Sequence, residues 1–533
     1  MSQPLVMFTQ DAGIISPVTL RWVVTTAYLA VLGLISIYGL HRYWLVWLYY
    51  RHRREKPTPM RTGAALPMVT VQLPMFNEAL VAERVIDAAC ALDYPRQLLQ
   101  IQVLDDSTDG SAGIARRRVA HWAGKGVDIQ YIHRLERTGY KAGALAHGLK
   151  QARGELIAIF DADFVPQSEF LRQTVDYFTD PAIGMVQTRW GHINRTQSLL
   201  TRSQAIFLDG HFVIEHAARN RSGRWINFNG TAGLWRRTAI ESAGGWQHDT
   251  LTEDVDLSYR AQLAGWRFLF LPDVVCPAEL PPQISAFKSQ QHRWTKGSVQ
   301  TARKLLPRIL RAPVPLSIKI EAFFHLTCPM VYAYMMVLML LFFPAIYVNM
   351  QPFEKGSFAG LLLGLSLFAI GSVSASTFYI ASQKAQGRGV WGTVLQLPML
   401  MSIGLGIAVN NSRACLEALV GHESAFIRTP KFNAGGEPSS AAGDQGDLIE
   451  TDDAPRRGRR PRMPTRLIVS LLELVLAGYL IQCVYLAVQL DNAFVSVPFL
   501  GLFAAGYLYV GLASLWQQLR SWRPPRPIAV PAS

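Results

Sequence analysis

Asp161 and Asp163 flank a single alanine directly after a short apolar run. Two carboxylates held that close repel unless a cation lies between or beside them. Oxygen ligands of this kind suit Mg2+ or Mn2+, usually shared with a phosphate-bearing substrate; helix-capping acids in a solvated turn would give the same pattern. Asp105-Asp106-Ser107-Thr108-Asp109 follows another apolar run. Thr108 or Asp109 suits the cap of the next helix, and Asp105 or Asp106 could accept hydrogen bonds from a base or a ribose. In Thr252-Glu253-Asp254 a carboxylate either caps a helix or takes a proton from an attacking hydroxyl. Lys141, in Gly139-Tyr140-Lys141-Ala142-Gly143, is either a surface lysine or a phosphate contact at a helix start. Gln290, Arg293 and Trp294 are spaced i, i+3 and i+4 and so share one helix face. An amide, a fixed cation and a flat ring pointing one way suit a sugar held beside a phosphate. A membrane-surface anchor would use the same Trp and Arg.

These groups need a frame that brings them together. Residues 66–283 alternate β-rich and helical stretches. Strands are expected at Met68–Leu73, Leu99–Leu104, Ile129–His133 and Leu156–Phe160, with helices at Glu78–Ala91, Gly110–Gly124 and Ala142–Ala152. Such alternation implies an α/β sheet with helices on both faces. Ligands of these sheets bind at the carboxyl ends of strands, where Pro74–Glu78, Asp105-Asp106 and Asp161/Asp163 fall.

The chain has 533 residues, 50% of them hydrophobic and 17% charged, with a formal net charge of +14. Its basic residues cluster beside apolar runs, as in Arg51-His52-Arg53-Arg54-Glu55-Lys56, which is the positive-inside pattern of a membrane protein and not a nucleic-acid surface. Five scattered cysteines form no CxxC pair and suit a reducing cytosolic face. The first long apolar run is too long for a signal h-region and is expected to be a retained span. Five spans are expected, roughly Leu20–Tyr50, Ile318–Val348, Phe358–Ser382, Leu467–Leu490 and Phe494–Leu515, each long enough for a ~30 Å core. Ser285–Leu310 is expected to form one or two amphipathic surface helices, and Val390–Ala418 an interfacial or re-entrant helix. The expected organisation is an N-terminal span with its basic flank (1–56), a catalytic domain (57–284) and interfacial helices (285–317). A transmembrane pair with the re-entrant helix (318–420), a gating-like segment and flexible loop (421–466), and a final pair with its tail (467–533) complete it. No internal repeat is visible, and the later spans hold few ionisable residues, chiefly Glu321, His325 and Glu473. A transporter is therefore disfavoured.

The ordered set Asp105-Asp106, Asp161-x-Asp163, Thr252-Glu253-Asp254 and Gln290-x-x-Arg293-Trp294 resembles the processive, cellulose-synthase-like branch of glycosyltransferase family 2. Gln72–Met75, Gln102–Ser107, Gly139–Gly143, Phe160–Phe164, Phe228–Gly233 and Gln290–Trp294 are most similar to the cellulose-synthase-like A and C proteins, which make mannan, glucomannan or β-glucan backbones. The resemblance covers residues 70–300 and implies a GT-A, Rossmann-like cytosolic domain on a transmembrane helical bundle. The implied protein is a multi-pass inner or plasma membrane enzyme polymerising a hexose from GDP-mannose or UDP-glucose into a β-linked polysaccharide. The alternative is single addition to a membrane lipid. Implied roles are nucleotide-sugar binding by Asp105, Asp106, Lys141, Asp161 and Arg293, and Mg2+ or Mn2+ binding by Asp161 and Asp163. Asp254, with Glu253 beside it, is the implied base; Gln290, Trp294, Phe228 and Gly230 are implied acceptor contacts. Implied partners are the donor, the growing chain, membrane lipid and accessory export subunits. Phe426–Lys431 resembles the gating loop of cellulose synthases. Phe164 stands where bacterial cellulose synthases carry His, which favours the mannan or glucan branches.

Overall fold

The computed structural model describes residues 16–348, 369–422, 424, 428–433, 465–489 and 496–521. Seven strands form one mixed sheet: β1 (Val69–Met75), β2 (Leu99–Asp105), β3 (Ile129–His133), β4 (Leu156–Ile159), β5 (Ile183–His192), β6 (Gly233–Arg236) and β7 (Arg267–Ala278). Their order is β3-β2-β1-β4-β6-β5-β7. The β1–β2, β2–β3 and β1–β4 pairs are parallel, and β6 runs antiparallel to both β4 and β5. Four of these strands fall where the sequence patterning placed them. The later three carry no comparably clean signal.

Because β1, β2 and β4 run parallel side by side, their carboxyl ends open on one edge. That edge receives Asn77, Asp105-Asp106 and Asp161. The strands are buried on both faces, so they read as nearly continuous apolar runs. Val71, Leu73, Val103 and Phe160 pack on one face, and Leu104, Ile157, Ile159 and Trp235 on the other. The polar exceptions pair across the register: Thr70 donates to Gln100 at 2.8 Å, and Gln72 to Gln102 at 3.0 Å, which leaves Gln72 Oε1 and Gln102 Nε2 unpartnered among the described residues.

Helices α1 (Pro17–His52), α2 (Ala82–Cys90), α3 (Ser111–Gly124), α4 (Tyr140–Leu149), α5 (Leu199–Asp209), α6 (Ala217–Arg221), α7 (Arg237–Ser242) and α8 (Glu253–Leu263) precede the long α9 (Ile284–Arg311). After it come α10 (Leu316–Thr327), α11 (Met330–Tyr347), α12 (Ser374–Ala385), α13 (Val390–Gly406), α14 (Ala408–Leu419), α15 (Thr465–Gln489) and α16 (Val497–Ser521). Among the described residues, four helices are long and apolar enough to cross a membrane: Val18–His52, Met330–Tyr347, Thr465–Gln489 and Val497–Arg520. The bent pair α13–α14, with a 41° break, makes a fifth broken span or a re-entrant loop.

One expectation needs correction, and one open alternative is decided. The run Ile318–Val348 is not one helix, because Cys328-Pro329 divides it into α10 and the span-length α11. The basic stretch after the domain is one unbroken helix, α9, which keeps Pro307 inside it. The first part of Phe358–Ser382 and the 434–464 loop lie outside the described residues, as do Phe426 and Ile427.

Buried ions clamp the domain to the helical bundle. Asp209, at the end of α5, accepts from Arg195 at 2.7 Å, Gln383 at 2.9 Å and Arg388 at 2.6 Å. Lys288 of α9 reaches Glu473 of α15 at 2.7 Å, and both side chains are nearly inaccessible. Removing one member of such a pair strands the other, whereas replacing both by apolar groups does not. Glu473→Leu should therefore lower stability by about 3–5 kcal/mol. Glu473→Leu with Lys288→Met should recover most of it, as read by unfolding in detergent.

Candidate active site

The cavity opens at the carboxyl edge of the sheet. Asp161 and Asp163 enter it from the end of β4, Trp190 and His192 from β5, and Glu253 and Asp254 from the first turn of α8. Gln290, Arg293 and Trp294 reach it from α9, and Lys431 from the 428–433 segment. Its free volume is about 70 Å³. The shared helix face expected for 290, 293 and 294 is real, and it looks into the domain.

Lys141 is the hub. Its ammonium sits 2.5 Å from Asp161 and donates to the Gly230 carbonyl at 2.9 Å. Burial lowers the ammonium pKa, but Asp161, Glu253 and Asp254 outweigh it and leave Lys141 above its ordinary value. The lysine is therefore a fixed internal cation and not a surface group. Its loop is tied down by Arg134, which grips both oxygens of Asp106 and the Thr138 and Tyr140 carbonyls. Asp105 accepts from Tyr131 at 2.7 Å and from the Ser107 amide at 2.9 Å. Asp105 and Asp106 thus sit at the expected strand end but do not line the cavity; Asp106, through Arg134, shapes the loop that presents Lys141. Gly110 is the N-cap of α3, and Asp109 just before it accepts from the Ser111 amide.

Asp254 is buried. Loss of hydration first, then the charge of Glu253, push its carboxyl up to about 7, against the opposing pull of Lys141, the Val255 amide and Arg293. Burial lowers the Arg293 guanidinium, which the charges of Glu253, Asp254, Asp161 and Asp163 partly offset. Helix α9 holds this corner in place. Gln300 accepts from the Leu251 amide at 2.9 Å, and Lys304 pairs with Asp249 and Asp256, each at 2.8 Å. Gly297 permits the approach: a Cβ there would lie 2.5 Å from the Thr252 side chain.

The acid pair is poised for a hard cation. Asp163 is almost fully buried; Oδ1 has no hydrogen-bond partner, and Oδ2 meets the Lys431 ammonium at 2.5 Å. A positive charge is therefore already drawn to the place where a divalent ion would sit, and the oxygen donors fit Mg2+ or Mn2+. Among the described residues no three ligating side chains converge, so phosphate oxygens and water would complete such a shell. The 428–433 segment closes this side. Arg428 lies 3.7 Å from Glu78, and the Phe432 amide donates to Glu279 at 3.1 Å. Burial lifts the Glu78 carboxyl to about 7, against Arg428 and Lys431 and reinforced by Asp163 and Asp161.

One implied contact fails. Phe228 has no accessible surface; its ring packs edge-on against Trp235 at 5.6 Å, in the core. The next two residues, Asn229 and Gly230, line the cavity instead. Trp190, His192, Asn229 and Glu279 were missed. Trp190 lies 6.4 Å from Trp294 and 5.1 Å edge-on from Phe164, so three aromatic rings wall one side. A single Trp or His on a strand carries no motif, and only the sheet register aims these two at the cavity.

Residues 67–297 match the family described as "Glycosyltransferase like family 2". This segment is a family 2 glycosyltransferase domain. Glucomannan 4-beta-mannosyltransferase 2 of Arabidopsis thaliana is 46% identical over 250 residues, 46% of this chain and 47% of that protein. Probable glucomannan 4-beta-mannosyltransferase 11 of Oryza sativa subsp. japonica is 48% identical over 251 residues, 46% of this chain and 44% of that one. The chain thus spans about half the length of the curated relatives it matches. The structure of the mannosyltransferase PcManGT from Pyrobaculum calidifontis, in complex with GDP-Man and Mn2+, superposes with a TM-score of 0.52 at 22% identity. The match covers 75% of this chain and all of that one. It establishes the GT-A fold of the family 2 domain.

Gly230 has φ +82°, and a Cβ there would stand 3.0 Å from Asp254 Oδ2. Gly230→Ala should cost about 1–2 kcal/mol from the left-handed backbone alone. Thermal unfolding would measure that loss.

Proposed function

We propose that the protein is a membrane-embedded, inverting, processive β-glycosyltransferase that polymerises a hexose from a nucleotide sugar. The observation that carries this is the convergence of Asp161, Asp163, Glu253, Asp254, Gln290, Arg293 and Trp294 on one cavity at the domain–bundle seam. The relatives are named glucomannan 4-beta-mannosyltransferases and the structural neighbour holds GDP-Man. We therefore favour GDP-mannose over UDP-glucose, and a mannan or glucomannan product. The domain would face the cytosol, with the apolar helices in the inner or plasma membrane.

In this mechanism Asp254 takes the proton from the acceptor hydroxyl, whose oxygen attacks the anomeric carbon from the face opposite the diphosphate. One displacement inverts α to β. A pKa near 7 suits a base that must be ionised yet proton-hungry at neutral pH. Lys141 and Arg293 offset the charge that builds on the leaving diphosphate. Asp161 and Asp163 would hold Mg2+ or Mn2+, which would neutralise the same charge. Trp294, with Trp190 beside it, offers a stacking wall to the acceptor sugar, and Gln290 an amide for its hydroxyls. Asp106 would act on the nucleotide side only indirectly, by holding the Arg134 that fixes the Lys141 loop.

A cavity of about 70 Å³ is far smaller than the ~300–1,000 Å³ typical of ligand sites. The 428–433 segment must therefore withdraw for the donor to enter, and Lys431 must leave Asp163 for a divalent ion to bind. This supports a gating role for that segment.

Asp254→Asn should abolish polymer synthesis in membranes supplied with labelled GDP-mannose and Mg2+ or Mn2+, while the protein stays folded. Full activity in that variant, or a product of one sugar on a lipid, would refute the proposal. In the wild type, the rate should climb as pH rises through about 7, where Asp254 ionises, and then level off. A profile flat from pH 5 to 8 would remove Asp254 as the base.

A further inference from the structure

A second cavity, of about 490 Å³, lies between α9, α10, α11 and α14 and shares no residue with the acid cavity. Its walls are apolar, with Ala302, Leu306, Leu310, Leu326, Met330 and Leu419 among them, and Arg303 and Arg311 stand in its lining. This is a full ligand-sized volume, unlike the closed acid cavity.

Charge decides what fits it. Helix α9 carries seven Lys and Arg residues and no Asp or Glu. Four of the seven face acids: Lys288 meets Glu473, Lys296 meets Glu417, Lys304 meets Asp249 and Asp256, and Arg293 faces the acid cavity. Among the described residues, Arg303 and Arg311 have no carboxylate partner, and Arg303 is held by donating to the Ala418 carbonyl. Position decides the rest. Met330, in the cavity wall, is the first residue of the span-length α11, so the cavity opens where that helix would enter a bilayer. Leu310, in the lining, is exposed, as are Leu316 and Ile320 on α10 and Val420 just after α14.

We propose that this cleft is a binding site for one anionic phospholipid, with an acyl chain along the apolar wall and the phosphate against Arg303 and Arg311. Each basic group near an anionic headgroup adds modestly to affinity, and two at one mouth select anionic over zwitterionic lipid. The same α9 carries Gln290, Arg293 and Trp294 near its other end. The lipid would therefore brace the helix that holds the acid site.

The test uses the full chain in nanodiscs of phosphatidylcholine, with and without phosphatidylglycerol. Native mass spectrometry should show one retained phosphatidylglycerol, and the unfolding temperature should rise in the phosphatidylglycerol discs. Arg303→Gln with Arg311→Gln should weaken that retention on the order of tenfold and abolish the temperature rise. Its unfolding temperature in pure phosphatidylcholine discs should match wild type, which would show that the fold is intact. A photo-crosslinker at Leu310 should capture phospholipid. Equal retention of phosphatidylcholine, undiminished retention by the double variant, or crosslinking of Leu310 to a polypeptide would each overturn the proposal.

Discussion

Buried negative charge is the constraint on which the molecule depends. Asp161, Asp163, Glu253 and Asp254 line one small cavity, with Glu78 close by. Carboxylates cannot be gathered there without compensating cations. The cations come from three separated parts of the chain: Lys141 from the start of α4, Arg293 from α9, and Lys431 with Arg428 from the segment after α14. Meeting the electrostatic requirement therefore forces the domain, the interfacial helix and the segment beyond the bundle to meet at one point.

Helix α9 is the beam of this assembly. At one end it presents an amide, a guanidinium and an indole to the acids. In its middle Gly297, Gln300 and Lys304 grip the loop and helix that carry Glu253 and Asp254. Lys288 and Lys296 anchor it to α15 and α14. The helix that contacts the reacting groups is thus also the one bolted to the apolar bundle. In the proposed function a product leaving the Trp294 wall would start its path at that bundle.

Much of this was legible in the sequence because it rests on local pattern. Parallel strands buried on both faces must be apolar runs, so β1 to β4 stood out, and the acids at their ends followed from the alternation. The i, i+3, i+4 spacing made the common face of Gln290, Arg293 and Trp294 readable without coordinates. What stayed hidden depends on contacts distant in sequence. For Lys141 the pattern leaves a surface lysine and a phosphate contact both open, and only β4 and the 229–230 turn make it the partner of Asp161 and Gly230. Phe228 belongs to a motif that does border the cavity, yet the turn sends its ring into the core and leaves Asn229 and Gly230 at the wall. The break at Cys328-Pro329 was missed because hydropathy is continuous across it; the proline interrupts the geometry and leaves the apolar pattern intact.

The same constraint sets a tension between stability and chemistry. Asp254 binds its proton far more tightly in the folded chain than its ordinary value of 3.8 implies. At this group the folded state therefore holds more proton than the unfolded one between about pH 4 and 7, and its contribution to stability falls as pH rises through that window. The ionised form that can accept a proton is thus the form that folding disfavours. Lys141 and Arg293 reduce the penalty without removing it, which leaves the carboxylate basic at neutral pH. Lys431 acts likewise on Asp163, from a segment that Arg428, Phe432 and Asn433 also tie to Glu78, Glu279 and Arg84. In the proposed mechanism Lys141 and Arg293 would tune Asp254 as the base, and Lys431 would have to yield Asp163 to a divalent ion.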